Sequence, residues 1–362
     1  MEKFDLVVIG AGPSGYAAAM RALDFKKKVL LIEKEKVGGA GVTNGALSSK
    51  TWWELSREAA SFRKNLKRYN IQAPSMSYKE IQAEVFRAVE ERKGMLEEHM
   101  ELLNAAKENP LTFKIGTARL ITEHEIEITN GSRREVVSAD YIILATGSRP
   151  RYLPELPIDE KTVMTSEGIE SMQDFPESMV IVGAGVIGCE YATIFSGFGK
   201  TKVHLIDKGA RILPFEDEDV VKVIERNMEN NGVLIHRNSR LIRMEIKNGR
   251  VEYELEYDDT SKEVFNVEKA LVSVGRIPNY EELWGDKVPI NMTKRGIEDN
   301  DTQTNVLNIY AVGDITADIS LVNVGELEGR YAVERIFGNP KRKLVYENIS
   351  TIMFLSPEVA GV

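Results

Sequence analysis

The chain has 362 residues, 43% hydrophobic and 28% charged, which suits two or three ordinary globular domains. A formal net charge of −9 argues against a nucleic-acid surface, which needs a basic excess, and no apolar run approaches membrane-spanning length. The single cysteine, Cys189, excludes an intrachain disulfide, and His99, His124, His204 and His236 show no metal-ligand spacing.

The amino terminus runs straight into a strand with no basic leader or cleavage signal, so a cytoplasmic location is the default expectation. Residues 4–9 and 29–33 read as parallel strands flanking a helix that opens near Gly12. Residues 48–107 are helical in pattern, broken near Asn70-Ile71-Gln72-Ala73-Pro74, and the second helix, about 77–107, is charged and amphipathic, as a solvated hairpin would be. Residues 111–143 alternate as strands do, with a turn at Asn130-Gly131. Tyr141-Ile142-Ile143-Leu144 reads as a buried strand running into Ala145-Thr146-Gly147-Ser148. Pro150, Pro154 and Pro157 mark a linker. A second α/β unit spans about 179–274, its strands near 233–236, 240–247, 251–257 and 270–274 completing one sheet. A last apolar strand, Ile309-Tyr310-Ala311-Val312, leads into Gly313-Asp314 and needs a sheet to join.

Two of these places read strand, G-x-G-x-x-G, helix. Gly10, Gly12 and Gly15 follow Leu6-Val7-Val8-Ile9; Gly183, Gly185 and Gly188 follow Met179-Val180-Ile181-Val182. Each is followed by an acid closing the next apolar strand, Glu33 or Asp207. The first glycine permits a tight turn, the second lets pyrophosphate approach the backbone, and the third lets helix pack on strand. The helix amino terminus then offers free N–H groups to phosphates, and the acid accepts hydrogen bonds from a ribose. Two complete copies argue for two bound dinucleotides. A ribose 2′-phosphate beside Asp207 would meet like charge, at a cost of up to about 4 kcal/mol at 4 Å and an effective dielectric of 20, which favours NAD over NADP. Lys208 and Arg211 lie close enough in sequence to soften that preference.

With these loops, Ala145-Thr146-Gly147-Ser148-Arg149-Pro150, Val274-Gly275-Arg276-Ile277-Pro278-Asn279 and Tyr310-Ala311-Val312-Gly313-Asp314, nearly the whole chain resembles the pyridine nucleotide–disulfide oxidoreductases. These include dihydrolipoamide dehydrogenase, glutathione reductase and soluble transhydrogenase. The resemblance implies an α/β fold of two Rossmann-like domains, a three-layer ββα flavoprotein fold with the NAD domain inserted in the FAD domain. The expected limits are 1–149 plus 275–345 for FAD, 150–274 for NAD(P), and 346–362 as the start of an interface domain. It implies FAD on the first loop and NAD(P)H on the second, the nicotinamide stacked on the flavin. The cofactor-binding positions it marks are, in chain order, Gly10, Gly12, Pro13, Ser14, Gly15, Glu33, Lys34, Gly39, Ala40, Thr43 and Lys50. Gly116, Thr117, Ala118, Ala145, Thr146, Gly147 and Ser148 follow. Then come Gly183, Gly185, Val186, Ile187, Gly188, Glu190, Asp207, Gly275 and Arg276, and finally Gly313, Asp314, Leu321 and Val322. Asp314 is implied at the ribityl–phosphate region of FAD and Glu33 at its adenosine ribose.

The chain departs from the family where its redox cysteines belong. The stretch reads Gly38-Gly39-Ala40-Gly41-Val42-Thr43-Asn44-Gly45-Ala46-Leu47-Ser48-Ser49-Lys50, with Gly41 and Ala46 at the two cysteine positions. A dithiol relay needs a thiolate, which neither residue supplies. Cys189, on the helix of the second unit, reads as a small packing residue. Lys50 and Glu190 are retained as the candidate catalytic pair; the resemblance implies that they pair beside the flavin, where an ammonium stabilises the negative charge of the reduced ring. Thr351–Ala360 looks like the start of the family's third, dimer-forming domain, so a homodimer is expected only where that domain is present, and the family's His–Glu pair lies outside these residues.

The expectation is therefore an FAD-dependent NAD(P)H oxidoreductase of transhydrogenase or diaphorase type. It would pass hydride from NADH to flavin and then directly to a small-molecule acceptor: a nicotinamide nucleotide, a quinone or oxygen. The alternative is a dihydrolipoamide dehydrogenase-like flavoprotein without catalysis, serving as a nucleotide sensor or scaffold.

Overall fold

The computed structural model describes residues 1–72, 76–106, 111–316, 318–340 and 342–362. The chain forms two compact units: residues 1–46, 89–149 and 277–349 make the first, and 47–88, 150–276 and 350–362 the second.

In the first unit the strands run in the order Leu111–Ile115, Val29–Glu33, Glu2–Ile9, Arg133–Leu144. Leu6–Ile9 pair in parallel with Val29–Ile32 on one side and Tyr141–Leu144 on the other. Apart from the half-buried Tyr141, these apolar runs are buried on both faces, as parallel strands covered by other layers must be. The strand Ile309–Ala311 pairs in parallel with Ile142–Leu144, which gives the last glycine–acid strand end its sheet. The earlier half of Arg133–Leu144 turns back antiparallel on Glu125–Asn130 through Asn130-Gly131, and Glu125–Asn130 on Thr117–Leu120. Gly131 supplies the positive φ of that turn.

The second unit repeats the parallel order, Leu234–His236, Lys202–Ile206, Ser178–Val182, Lys269–Val272, Val163–Met164. Here the sequence expectation is corrected. Ser239–Lys247 and Arg250–Tyr257 do not complete that sheet; with Lys262–Val267 they form a separate antiparallel one. Alternation identifies a strand and one buried face, but not which edge it joins.

The helical stretch resolves into Ala46–Arg68 and Tyr78–Ala105. Ala73 and Pro74, in the expected break, and Lys107 lie outside the described residues. Both helices are amphipathic: Tyr78, Val85, Val89, Leu96 and Met100 make a buried stripe at spacings of four and seven. The compact units also divide the chain elsewhere than the expected limits. Trp52, Trp53, Tyr78 and Val85, with Met353 and Leu355, share a hydrophobic cluster with Ile194, Phe195 and Phe198. Burying such side chains contributes about 1.5–3 kcal/mol each, so 47–88 and 350–362 fold with the second unit.

Candidate functional site

The first cradle is built by what its glycines lack. Gly10 has φ +106°, and a Cβ there would collide with the carbonyl of Ala145; a Cβ at Gly15 would collide with the carbonyl of Gly10. Around a Cβ at Gly12 nothing among the described residues lies within 4 Å. The first and third positions are thus closed by backbone, and the second faces open space. Helix Pro13–Asp24 begins at Gly12 without a side-chain cap and with no acid in its first turn. By contrast, helix Glu218–Asn230 is capped by Asp217, whose carboxylate accepts from Asp219 N (2.9 Å) and Val220 N (3.2 Å). An uncapped amino terminus facing an open glycine suits a phosphate.

Glu33 braces the loop: Oε2 accepts from Ala11 N at 2.7 Å and Oε1 from Glu35 N at 2.9 Å. Ala11 in turn accepts from Gly38 N, at 2.9 Å.

The second unit repeats this almost bond for bond. Gly183 has φ +101°, and a Cβ on it would lie 2.6 Å from Ser273 O; one on Gly188 would collide with Gly183 O; around Gly185 nothing among the described residues lies within 4 Å. Helix Val186–Phe198 is likewise uncapped. Asp207 accepts from Ala184 N (2.8 Å) and Gly209 N (3.0 Å), and Ala184 accepts from Leu213 N (2.9 Å). Ser273 stands where Ala145 stands: Ala145 N donates to Ile9 O and Ser273 N to Val182 O, each at 2.8 Å. Gly147 (φ +67°) and Gly275 (φ +105°) each follow two residues later.

The remaining predicted positions fall around these frames. Ser14 packs against Gly313 and Gly325, and Ser148 Oγ donates to Asp314 Oδ2 at 2.7 Å. Thr146 and Asn279 lock together: Thr146 Oγ1 donates to Asn279 O (2.5 Å) and Asn279 Nδ2 to Thr146 O (3.0 Å). Gly39 and Ala40 lie in a single helical turn, Gly39–Val42, closed by Thr43 Oγ1 on Gly39 O at 2.9 Å. Lys34 is exposed after Glu33, and Gly116 N reaches Glu33 O at 2.8 Å. Thr117 is exposed, whereas the Ala118 methyl lies in the core. Leu321 is the N-cap residue of helix Val322–Phe337, and Val322 its first residue. In the second unit Val186 and Ile187 open the helix, and Arg276 follows Gly275.

Also in the second unit, Lys50 Nζ lies 2.7 Å from Glu190 Oε2. The carboxylate side chain is 7% exposed and the lysine 30%, so the pair is sunk on the glutamate side and open on the ammonium side. Glu190's other oxygen accepts from Phe354 N at 3.0 Å. Cys189, one residue before, is fully buried; burial pushes its thiol up, and Sγ donates to Ala184 O. A buried, protonated thiol is no nucleophile.

A match to the pyridine nucleotide-disulphide oxidoreductase family covers residues 4–329. The chain belongs to this family. Its members use FAD and NAD(P)H, and the open glycines and uncapped helices fit both groups. A dihydrolipoyl dehydrogenase of Bacillus subtilis is 32% identical over 369 residues, covering 99% of this chain and 76% of that protein. Another, of Chlamydia trachomatis, is 32% identical over 372 residues, covering 100% and 76%. Among solved structures, LpdA from Mycobacterium tuberculosis superposes with a TM-score of 0.88 at 24% identity, over 99% of this chain and 78% of that one. The Cu(II) complex of the HOCl-induced flavoprotein disulfide reductase RclA from Escherichia coli does so at 0.86 and 22%, over 99% and 77%. Both share the flavoprotein fold.

Against that family background the two missing cysteines stand out. At Gly41 a Cβ would collide with the Pro13 ring and lie 3.5 Å from Val322 Cγ2. A side chain at position 41 would thus meet the proline of the first glycine loop.

Two contributors escape sequence reading. Glu328, mid-helix and 1% exposed, accepts from Gly313 N at 2.6 Å and from Tyr346 Oη at 2.9 Å. It thus fixes the turn that carries Asp314. Phe354 is the other. An acid in an amphipathic helix reads as solvent-facing, and an aromatic near a proline reads as a strand end; no sequence signal marks either.

Proposed function

We propose that the protein is an NAD(P)H oxidoreductase that carries reducing equivalents through FAD to a non-disulfide acceptor. The observation that carries this reading is the stretch Gly38–Lys50: Lys50 is kept, both thiols are gone, and position 41 has no room for a side chain. When bound, FAD supplies a ring that accepts a hydride, two electrons and a proton, from a reduced pyridine nucleotide and returns the electrons to an acceptor.

The chain's own residues bind and orient. The loop at Gly12 and the helix behind it hold one pyrophosphate, and the loop at Gly185 the other. Glu33 and Asp207 keep the loops in shape through the Ala11 and Ala184 N–H groups and offer their remaining lone pairs to ribose hydroxyls. Lys50, held by Glu190, is read as the cation beside the ring; its charge offsets the negative charge that reduction puts there. The acceptor class supported is one that takes electrons without forming a thiolate bond: a second nicotinamide nucleotide, a quinone or oxygen.

NADH is favoured over NADPH. Asp207 presents like charge to a 2′-phosphate. Arg211 is spent on its own loop, donating to Glu216 O (3.0 Å) and Pro214 O (2.8 Å).

Anaerobic rapid mixing with NADH tests the reading. Fast bleaching of the flavin band, followed by recovery on adding a quinone or an oxidised nicotinamide analogue, is expected, with no turnover of lipoamide. Bound nucleotide without bleaching favours the sensor alternative, which the loss of both thiols motivates. Lipoamide turnover by the pure chain would defeat the thiol argument.

A further inference from the structure

Lysine is a compact charge on a flexible four-carbon stem, and one ion pair rarely fixes it. Lys50 has one ion pair and two further contacts. Its Nζ lies 2.7 Å from Glu190 Oε2, 3.4 Å from Ser49 Oγ and 4.9 Å from the centroid of the Phe354 ring. The same residue, Phe354, gives its backbone N–H to Glu190 Oε1 at 3.0 Å. One residue therefore touches both members of the pair, holding the carboxylate through its backbone and the ammonium through its ring face.

Phe354 is itself fixed. The Trp53 ring meets it edge-on at 5.2 Å, and Trp53 Nε1 donates to Leu355 O at 3.1 Å. Met353 and Leu355, on either side, are buried in the cluster of the second unit, and Thr351–Met353 pairs with Val359–Gly361 as a small ribbon. Lys50, Trp53 and Arg57 recur at spacings of three and four on helix Ala46–Arg68, so they share a face. Arg57 covers the far side of the neighbourhood, stacking on Trp53 at 4.8 Å and reaching Glu358 at 3.5 Å.

We infer that Phe354 is a positioning residue: it clamps the Lys50–Glu190 pair from the segment 351–361 and sets where the ammonium sits. The inference rests on the reading of Lys50 as the cation beside the flavin. It assigns that segment a part in tuning the cofactor, apart from any contribution to an interface.

The test is the midpoint potential of the bound flavin in the full, FAD-loaded chain. Lys50→Met removes the cation and is expected to move the potential negative. Phe354→Ala should move it the same way by less, near a tenfold change in the reduced-to-oxidised equilibrium, about 30 mV for a two-electron couple. In the Lys50→Met background Phe354→Ala should add nothing. Phe354→Leu keeps the N–H and most of the apolar volume but loses the ring face; it should also shift negative, and it carries the test if the alanine variant fails to fold. A separate readout is amide exchange: the Phe354 N–H should exchange faster in Glu190→Ala than in the parent. Parental potentials in the Phe354 variants, with Lys50→Met shifted, would overturn the inference alone, as would unchanged exchange at Phe354. An unmoved potential in Lys50→Met would overturn the reading of Lys50 and this inference with it.

Discussion

The two units share a backbone frame and differ in what is buried beside it. In both, a glycine with positive φ sits under a carbonyl, an acid bonds the N–H of the alanine after it, and an uncapped helix faces an open glycine. In the first unit a carboxyl, Glu328, stands behind the Gly313–Asp314 turn. Burial pushes it up to about 7, with Asp318 and Asp299 adding to the rise and the Gly313 N–H and the Tyr346 hydroxyl opposing it. In the second unit two imidazoles occupy neighbouring strands, stacked at 5.3 Å, with His204 Nδ1 3.1 Å from His236 Nε2. Tyr253, Tyr257 and Phe265 close around them. Burial, then His236 and Lys202, pushes His204 down to about 4, and burial lowers His236 as well. The frame is backbone and therefore repeats; the buried side chains are free to diverge, and here they titrate in opposite senses.

The largest expected effects separate the two cradles. Gly12→Ala and Gly185→Ala each place a methyl in open space, so neither should cost stability. Each should obstruct a pyrophosphate, losing about 3 kcal/mol of charge-assisted hydrogen bonding, or roughly a hundredfold in affinity. On the proposed reading Gly12→Ala purifies colourless. Gly185→Ala stays yellow and bleaches slowly with NADH, a split read by flavin absorbance and rapid mixing. Gly15→Ala is the contrast: its methyl collides with the Gly10 carbonyl, so its melting temperature should fall before any ligand is added. Equal loss of colour in Gly12→Ala and Gly185→Ala would break the assignment of one nucleotide to each loop.

Acid should next shift the stability of the two units in opposite directions. His204 has a folded-state value below that of the unfolded chain, so the unfolded state binds more protons between pH 6.5 and about 4. The contribution of His204 to the stability of the second unit is full above pH 6.5 and is lost as pH falls toward 4, about 3 kcal/mol in all. Glu328 is shifted the other way, from 4.5 to about 7. Its contribution is full below pH 4.5 and is lost as pH rises through 7, again by about 3 kcal/mol. Hydrogen exchange resolved by segment at pH 5 and pH 7.5 reads both. Strands Lys202–Ile206 and Leu234–His236 should loosen in acid, and helix Val322–Phe337 in base. His204→Phe should flatten the first trend and Glu328→Gln the second. Parallel trends in the two units would refute the contrast.

The same contrast shows what a sequence reveals. The glycine loops are legible because the missing Cβ is itself the signal, and the spacing 10, 12, 15 recurs as 183, 185, 188. The strand 309–311 is legible as a strand, but its place beside Ile142–Leu144 depends on a pairing about 170 residues distant in sequence, which no local pattern encodes. The sorting of 239–267 into its own sheet was hidden for another reason: its pairings are local hairpins, and alternation alone does not say whether such strands join the parallel edge or stay apart. Glu328 and Phe354 act through a carboxyl turned inward and a backbone N–H, and neither property is written in residue type.

A smaller effect sharpens the distinction between ligand-ready and self-capped helices. Asp217→Ala removes two side-chain bonds to the first turn of Glu218–Asn230 and should cost about 1 kcal/mol, read by urea unfolding. Flavin content and NADH affinity should not change, because that helix already satisfies its own amino terminus. The corresponding positions at Gly12 and Gly185 have no side chain to remove.

The smallest expected effect concerns the residue after which NADP specificity would be guessed. Arg211 lies four residues beyond Asp207, the acid read as facing a ribose. Its guanidinium instead donates to two carbonyls of the loop 214–216. Releasing it for a phosphate would cost those bonds, each worth about 1 kcal/mol net, and the phosphate would still face the Asp207 carboxylate. Arg211→Ala should therefore change the ratio of kcat/KM for NADH to that for NADPH by less than about threefold, since loss of those internal bonds falls on both nucleotides alike. A drop of more than tenfold confined to NADPH would mean that Arg211 leaves its loop to meet the phosphate. The second cradle would then be a dual-specificity site, and its likeness to the first would end at the acid.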